Sequence, residues 1–131
     1  MLAAEVRELS QIPGLDIGAH TVNHLALPDQ PAAVQRAELS GCRSVLASVI
    51  GRPIDLFAYP YGAVDRQAAS LTRQSFHWSL SCDPRPVRES FDAARVPRVE
   101  VKRVDQGTFS AAIDRLFHRR NPDPPITRLP D

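Results

Sequence analysis

At residues 15–24 the chain reads LDIGAHTVNH, a short segment that ends in two histidines four positions apart. Up to His20 apolar residues alternate with polar or small ones, which is the period of a β-strand. Neutral imidazole is a common ligand for zinc and similar ions. A histidine at the end of a strand and a second, His24, on the following turn can therefore point at one ion. The same residues are equally consistent with a polar strand end that carries a surface histidine.

The regions after this segment alternate between helical and extended patterns. Such alternation is typical of right-handed β–α–β units, so we predict an α/β fold with a mostly parallel sheet or barrel. The predicted strands are 15–20, 54–59, 76–82 and 96–101, and the predicted helices are 3–11, about 31–50, 65–74 and one that Thr108 caps.

Two of these elements carry a predicted facing. In the second helix the apolar stripe is expected to comprise Leu39, Cys42, Val45, Leu46 and Val49, with Gln35 off it. In the third strand we expect Trp78, Leu80 and Cys82 on one side and His77, Ser79 and Ser81 on the other.

Length and composition narrow the class of protein. The 131 residues, 43% hydrophobic and 24% charged, suit one domain, which we place at 1–119, followed by a proline-rich tail at 120–131 that we expect to be extended or disordered. A net charge of +1 gives no reason to expect nucleic acid or an anionic membrane as a partner. No apolar run reaches the roughly 18 residues of a membrane span, and no signal peptide is evident, so the chain as given is expected to be cytoplasmic. Cys42 and Cys82 are predicted to be buried free thiols.

The unusual residues fall at the carboxyl ends of the predicted strands. His20 and His24 follow one strand, the segment 59–62 (YPYG) follows the next, and Asp83 follows the third. In parallel α/β folds the chemistry sits at this end of the sheet. The placement favours a real site without naming its reaction.

With these motifs in view, the chain resembles the polysaccharide deacetylases, the metal-dependent carbohydrate esterases that act on chitin, peptidoglycan and xylan. Residues 17–24 (IGAHTVNH) resemble the family's H-[ST]-x-x-H motif, which ends a strand. Residues 57–62 (FAYPYG), with Glu38 and the helix end at 46–51 before them, resemble the next motif in the form of one large subgroup, and 96–99 (VPRV) resemble its L-P-R-[IV] segment. The similarity covers about residues 2–117.

The resemblance implies a set of roles. His20 and His24 would hold a divalent metal, zinc in the first place and cobalt, nickel or manganese as alternatives. Tyr61 would be catalytic, offering its backbone N–H to an oxyanion. Arg98 would be catalytic by orienting or holding an acidic group, although it is equally consistent with a solvated arginine at a strand end. Tyr59 and Pro60, together with Tyr61, would bind the substrate, an acetylated carbohydrate polymer or oligosaccharide.

The chain also departs from the family pattern, and these departures bear on its expected fold and activity. The family's T-F-D-D-G strand, which supplies the general base and an aspartate ligand, has no counterpart here, so we expect a partial (β/α) barrel that lacks its first strand or strands. Asp83 is a weak substitute, because Asp-Pro is equally a turn former. The chain is therefore expected to be a deacetylase-like protein that is impaired or inactive as it stands. The alternatives are a non-catalytic metal- or glycan-binding remnant and a structural fragment that pairs with another copy through an open sheet edge.

Overall fold

The computed structural model describes residues 2–100 and 106–118. Within them, helices and short strands alternate along the chain, interrupted by three single-turn 3₁₀ helices. The α-helices are α1 (Ala3–Leu9), α2 (Ala32–Ile50), α3 (Arg66–Ser75) and α4 (Gln106–His118); the strands are β1 (Leu56–Ala58) and β2 (Trp78–Leu80); and the 3₁₀ turns are Leu27–Asp29, Pro60–Gly62 and Ala93–Arg95. The expected tail at 120–131 lies outside the described residues.

The backbone pairing is parallel throughout the described sheet. β1 pairs with β2 in parallel, with Phe57 opposite Ser79. Single parallel bridges extend the array on both sides, from Ala19 to β1 and from Val96 to β2. Four consecutive segments therefore lie side by side in the order in which they occur in the chain, and the predicted α/β fold with a parallel sheet is confirmed.

The two outer strands were predicted too long. Instead of a strand over 15–20 only Ala19 pairs, through its N–H to Leu56 O at 2.8 Å and its carbonyl to Ala58 N at 2.9 Å. Instead of a strand over 96–101, of which residue 101 lies outside the described part, only Val96 forms a bridge. Each outer segment has a neighbour on one side within the described residues, and Pro97 has no N–H with which to continue the ladder.

The hydrophobic core lies between the sheet and the helices α2 and α3. Phe57 and Tyr59 are fully buried there, with Phe76 stacked on Phe57 at a ring-centroid distance of 5.1 Å. The cluster of buried residues comprises Ala19, Leu27, Leu39, Cys42, Ile50, Ile54, Phe57, Tyr59, Ala68 and Phe76.

The opposite face of the sheet is open in the described part of the chain. β2 and its continuation have the two sides predicted, but the serine side is the buried one, since Ser79 and Ser81 pack beneath the helices. Large aromatic side chains already fill that layer, so small residues fit beside them. Trp78 points the other way, is 44% exposed and stacks on Phe91 at 5.4 Å.

Helix α2 ends at the predicted residue, but the side of the helix that faces the core differs from the predicted one. Gly51, at φ 74°, closes the helix in the left-handed conformation expected of a C-terminal glycine. The predicted stripe is wrong in two places: Val45 is 62% exposed, whereas Gln35 is buried and donates through Nε2 to Gln30 O. The buried side is turned toward the loop that precedes the helix, where polar side chains find backbone partners.

The remaining helices lie close to their predicted positions. Helix α1 ends two residues before the predicted end, and α3 begins after Asp65, whose carboxylate accepts the Ala68 N–H at 2.7 Å as a helix cap does. The predicted Thr108 cap is wrong, because α4 already includes Gln106 and Thr108 lies inside it. Phe109 in α4 is exposed.

Candidate metal centre

The two histidines lie side by side where the first sheet segment ends. Their ring centroids are 4.8 Å apart and the rings are inclined at 65°. His20 Nδ1 lies 2.7 Å from the carbonyl oxygen of Ala58, the last residue of β1. A carbonyl oxygen only accepts, so Nδ1 carries the hydrogen, and in the neutral ring the lone pair is on Nε2. This is the tautomer in which an imidazole binds a metal through Nε2 while its other nitrogen is fixed by the protein.

Tyr61 lies beside His24 on the same surface. The two ring centroids are 4.8 Å apart, and the Tyr61 hydroxyl is 3.2 Å from His24 Nδ1. Tyr61 is 72% exposed, so the face of its ring remains open to a ligand. His20, His24 and Tyr61, which we call the two-histidine site, thus come together from two separate segments of the chain.

The backbone around this site is held in an unusual conformation. Thr21, His24 and Tyr61 are non-glycine residues with positive φ, at 62°, 56° and 59°. Such residues are uncommon, and each has an unfavourable local geometry that the surrounding structure must stabilise. All three belong to the two-histidine site or to the turn that forms it.

The turn that carries Tyr61 is packed against the end of β2. Gly62, at φ 69°, has no side chain, and a Cβ added there would lie 2.5 Å from Cys82 Cβ and 2.8 Å from Cys82 N. Only glycine fits this contact, so packing against Cys82 sets how closely the Pro60–Gly62 turn approaches the end of β2. Within the described residues the Tyr61 N–H donates to no backbone carbonyl.

Arg98 reaches the same corner by way of Cys82. Its Nη2 donates to Cys82 Sγ at 3.3 Å, and its backbone N–H donates to Asp83 O at 3.0 Å. The Asp83 carboxylate is paired with Arg85, Oδ2 to Nε, at 2.6 Å. Cys82 itself is exposed rather than buried as predicted, whereas Cys42 is buried, and both thiols are free.

Two of the predicted substrate-binding residues lie beneath the surface. Tyr59 is 0% exposed, and its hydroxyl is bonded to Thr72 Oγ1 at 2.5 Å and to Ala94 O at 2.8 Å. Burial raises the pKa of this phenol. Pro60 is also buried. Their place is under the Tyr61 turn, where they support it, and no exposed part of the Tyr59 side chain is left to touch a ligand.

In the sequence Glu38 is only part of a motif, and the structure shows what it contacts. Its carboxylate, 5% exposed on α2, accepts the N–H groups of Val22 and Asn23 and the Asn23 side-chain amide. Burial by itself raises the pKa of this carboxyl, but the hydrogen bonds from Asn23 and Val22 more than offset it, and the pKa lies below its ordinary value. The sequence signal that could have identified Glu38 is its position: an acidic residue one helical turn before Cys42, on the buried side of α2.

Comparison with known proteins identifies the family. A family model described as polysaccharide deacetylase matches residues 3–75, more than half of the chain. The chain belongs to the polysaccharide deacetylase family. The matched part contains both histidines and the Pro60–Gly62 turn, and it ends before Arg98. No curated protein sequence matches this deacetylase-family chain significantly.

Solved structures with the same fold are also deacetylases. A polysaccharide deacetylase from Bacillus cereus superposes with a TM-score of 0.76 at 21% identity, over 86% of this chain and 36% of its own. A Streptococcus pyogenes deacetylase in complex with acetate gives 0.72 at 19% identity, over 77% and 45%. A de-N-acetylase from Aggregatibacter actinomycetemcomitans gives 0.69 at 16% identity, over 86% and 53%. The family chain therefore has part of the deacetylase (β/α) barrel and spans roughly a third to a half of these proteins.

Within the described residues, no third histidine, cysteine, aspartate or glutamate lies close enough to the histidine pair to complete a metal-binding group. Nor does any described helix have the length and hydropathy to cross a bilayer. The fit of the site to a metal rests on the His20 tautomer and on the closeness of the two rings, and it extends to two protein ligands.

Proposed function

We propose that the two-histidine site is the metal-holding part of a carbohydrate deacetylase centre, with His20 and His24 as ligands. The observation that carries this proposal is the His20 Nδ1 contact with Ala58 O, which leaves Nε2 as the metal-binding atom beside the second ring. Ring centroids 4.8 Å apart allow a nitrogen of each ring to reach one ion at about 2.0–2.1 Å. Zinc is our first choice, with cobalt, nickel or manganese as alternatives.

In this proposal the substrate is an acetylated carbohydrate, and the bond cleaved is an N-acetyl or O-acetyl bond. A divalent ion at this site supplies Lewis acidity toward the acetyl carbonyl and the attacking water. The Tyr61 N–H donates to the oxygen on which negative charge develops, and the turn packed on Cys82 holds that N–H in place. Arg98, anchored on Cys82 and Asp83, orients an acidic group at the same corner. The acetate bound to the Streptococcus pyogenes structure supports an acetyl substrate.

We further propose that the 131-residue chain by itself has no appreciable deacetylase activity. Water must be deprotonated as it attacks, and a positioned general base contributes about 100- to 10,000-fold. Within the described residues no carboxylate joins the histidine pair, and Asp83 is paired with Arg85. The same arrangement supports the second candidate function, a non-catalytic metal- or glycan-binding protein.

The ligand assignment is tested by zinc or cobalt uptake. The purified protein should bind one equivalent after dialysis against the metal, and His20→Ala combined with His24→Ala should abolish that uptake. His77→Ala is the matched control, because His77 is exposed and its backbone lies at the opposite end of β2. Uptake that survives loss of both histidines, or that falls equally in the His77 variant, contradicts the assignment.

The activity proposal is tested by acetate release from N-acetylated chito-oligosaccharides with added zinc or cobalt. We expect none from the isolated chain, and recovery when an N-terminal segment bearing an Asp-Asp strand is fused to it. Metal uptake together with glycan binding, still without acetate release in the fusion, favours the non-catalytic candidate. Robust release by the isolated chain that His20→Ala abolishes would mean that Asp83 or a second chain supplies the carboxylate.

The partner proposal concerns the outer edge of the sheet. Ala19 pairs with β1, and no other strand or bridge pairs with this segment in the described part of the chain. We propose this edge as the place where a second copy pairs with the chain to form a homo-oligomer. Sedimentation of the isolated protein distinguishes a dimer from a monomer, and a protein that stays monomeric at high concentration would contradict the homo-oligomer.

A further inference from the structure

The turn between the two histidines is bonded to a single carboxylate on α2. Glu38 Oε2 accepts the backbone N–H groups of Val22 at 2.8 Å and of Asn23 at 2.9 Å. The other oxygen, Oε1, accepts the Asn23 side-chain amide at 2.5 Å. Three donors from two consecutive residues, both between His20 and His24, thus converge on one buried side chain.

The same turn contacts α2 at a second point. Val22 Cγ2 lies 3.0 Å from the position where a Cβ on Gly41 would be. The backbone of α2 can approach the turn this closely because Gly41 has no side chain there. Glu38 and Gly41, one helical turn apart, therefore form a seat for the residues between the histidines.

The conformation held on this seat is one that the turn would not keep unaided. Thr21 and His24, which flank the bonded residues, both have positive φ. Glu38 is the acceptor for both backbone N–H groups of the turn, so removing the carboxylate removes the hydrogen bonds that stabilise this backbone path. The direction in which the His24 ring points depends on that path.

We propose that Glu38 is a positioning residue of the metal site: it fixes the 21–24 turn so that both imidazoles face one ion. This inference rests on the proposed metal-binding function of the histidines. Glu38 touches neither ring and acts through the backbone of Val22 and Asn23. Partners that hold metal ligands in place typically contribute 10- to 100-fold to metal affinity.

This geometry further implies that the position of the acceptor oxygens of residue 38 matters more for holding the turn than their negative charge. In Glu38→Gln the amide oxygen can accept both backbone N–H groups, and the amide nitrogen can donate to Asn23 once that side-chain amide turns over. Glu38→Ala offers no acceptor. The glutamine variant is therefore the conservative rescue, and the alanine variant is the loss.

The first measurement is amide hydrogen exchange on the metal-free protein, which does not depend on zinc. The Val22 and Asn23 amides should be protected in the wild type and in Glu38→Gln, and they should exchange at least tenfold faster in Glu38→Ala. Amides of β1 should be unchanged in all three proteins. Equal exchange of the Val22 and Asn23 amides in the wild type and Glu38→Ala would overturn the proposal, even if no metal binds.

The second measurement is the zinc dissociation constant, obtained by competition with a chromogenic chelator. We expect Glu38→Ala to raise it 10- to 100-fold and Glu38→Gln to raise it less than threefold. Asp92→Ala is the control for general destabilisation, because it removes a carboxylate that is bonded to Arg73 and Ala94, away from the turn. An unchanged constant in Glu38→Ala, or an equal loss in the control, refutes the positioning role.

The two proposals fail in different ways. If the wild type binds no zinc, the ligand assignment of His20 and His24 is wrong, and hydrogen exchange alone decides whether Glu38 holds the turn. If zinc binds and depends on the histidines but not on Glu38, the metal site stands and the inference about Glu38 falls.

Discussion

Gly62→Ala is expected to destabilise the fold more than alanine at any other positive-φ glycine in the described residues. At φ 69° an L-residue costs roughly 1–2 kcal/mol, and forcing a methyl group into a filled space costs roughly 1–3 kcal/mol more. The methyl carbon would lie 2.5 Å from Cys82 Cβ and 2.8 Å from its backbone nitrogen, and the backbone cannot move aside as a flexible side chain would. The free energy of unfolding should therefore fall by about 2–5 kcal/mol.

Gly51→Ala and Gly14→Ala isolate the conformational part of this cost. These glycines have φ 74° and 80°, and a Cβ at either would meet nothing within 4 Å. Each should cost only about 1–2 kcal/mol. The difference from Gly62→Ala is the steric contribution, about 1–3 kcal/mol.

The assay is urea unfolding at neutral pH, followed by circular dichroism and by the fluorescence of Trp78, the single tryptophan. Adding Cys82→Gly to Gly62→Ala removes the contacts with Cys82 Cβ and Sγ, so the double variant should lose less than the sum of the single changes. Two results would refute the reasoning: a Gly62→Ala protein as stable as Gly51→Ala within about 0.5 kcal/mol, or strict additivity in the double variant.

Two further predictions concern the two thiols and the Asp92 carboxylate. Burial raises the pKa of the Cys42 thiol, whereas Cys82 is exposed. An aromatic disulfide reagent should therefore modify Cys82 quickly in the native protein and Cys42 only on unfolding. Cys82→Ser should remove the fast phase. Burial alone would raise the pKa of the Asp92 carboxyl, but its bonds to Arg73 and Ala94 lower it below the ordinary value. Its stabilising effect is therefore complete above the unfolded-state pKa and is lost as pH falls through the folded-state pKa. The Asp92–Arg73 pair is half exposed, so the stability difference between wild type and Asp92→Asn should stay under about 1 kcal/mol at pH 6. That difference should vanish near pH 2. A difference that grows on acidification would contradict this prediction.

Several features of the fold followed from local pattern. Gly51 after a long periodic segment marked the end of α2, because a left-handed glycine satisfies a helix end by local bonds alone. The helix predicted over 65–74 begins one residue later, with Asp65 as its cap. The alternation of helices with extended segments also predicted the parallel sheet, because a strand–helix–strand connection can pack in only a few ways.

Other features depended on the tertiary structure and could not be predicted from local pattern. The strand over 15–20 shrinks to a bridge at Ala19 because its length depends on a neighbour that the pattern cannot supply. Ser79 is buried while Trp78 is half exposed, since the helix side of the sheet is already filled by Phe57 and Tyr59. Polarity alone predicts two sides of a strand and leaves open which of them the helices cover.

The candidate site divides in the same way. His20 and His24 were found from spacing and from their place after a predicted strand, and the structure brings their rings together beside Tyr61. Their metal-binding role stays a prediction. Tyr59 was grouped with Tyr61 by motif alone. Residues two apart in an extended strand face the same side, but the chain turns at Pro60–Gly62, with Tyr61 at φ 59°, so Tyr59 lies in the core and Tyr61 at the surface.

The order of the sheet segments bears on how the chain is made. Ala19, β1, β2 and Val96 pair only with the segment before or after them in the described chain. As a nascent polypeptide leaves the ribosome, each segment after the first can therefore pair with a neighbour that has already emerged, and no later strand has to be inserted between two paired ones. The order of pairing is thus compatible with the order of synthesis, and pairing between consecutive units keeps the loops that must close short.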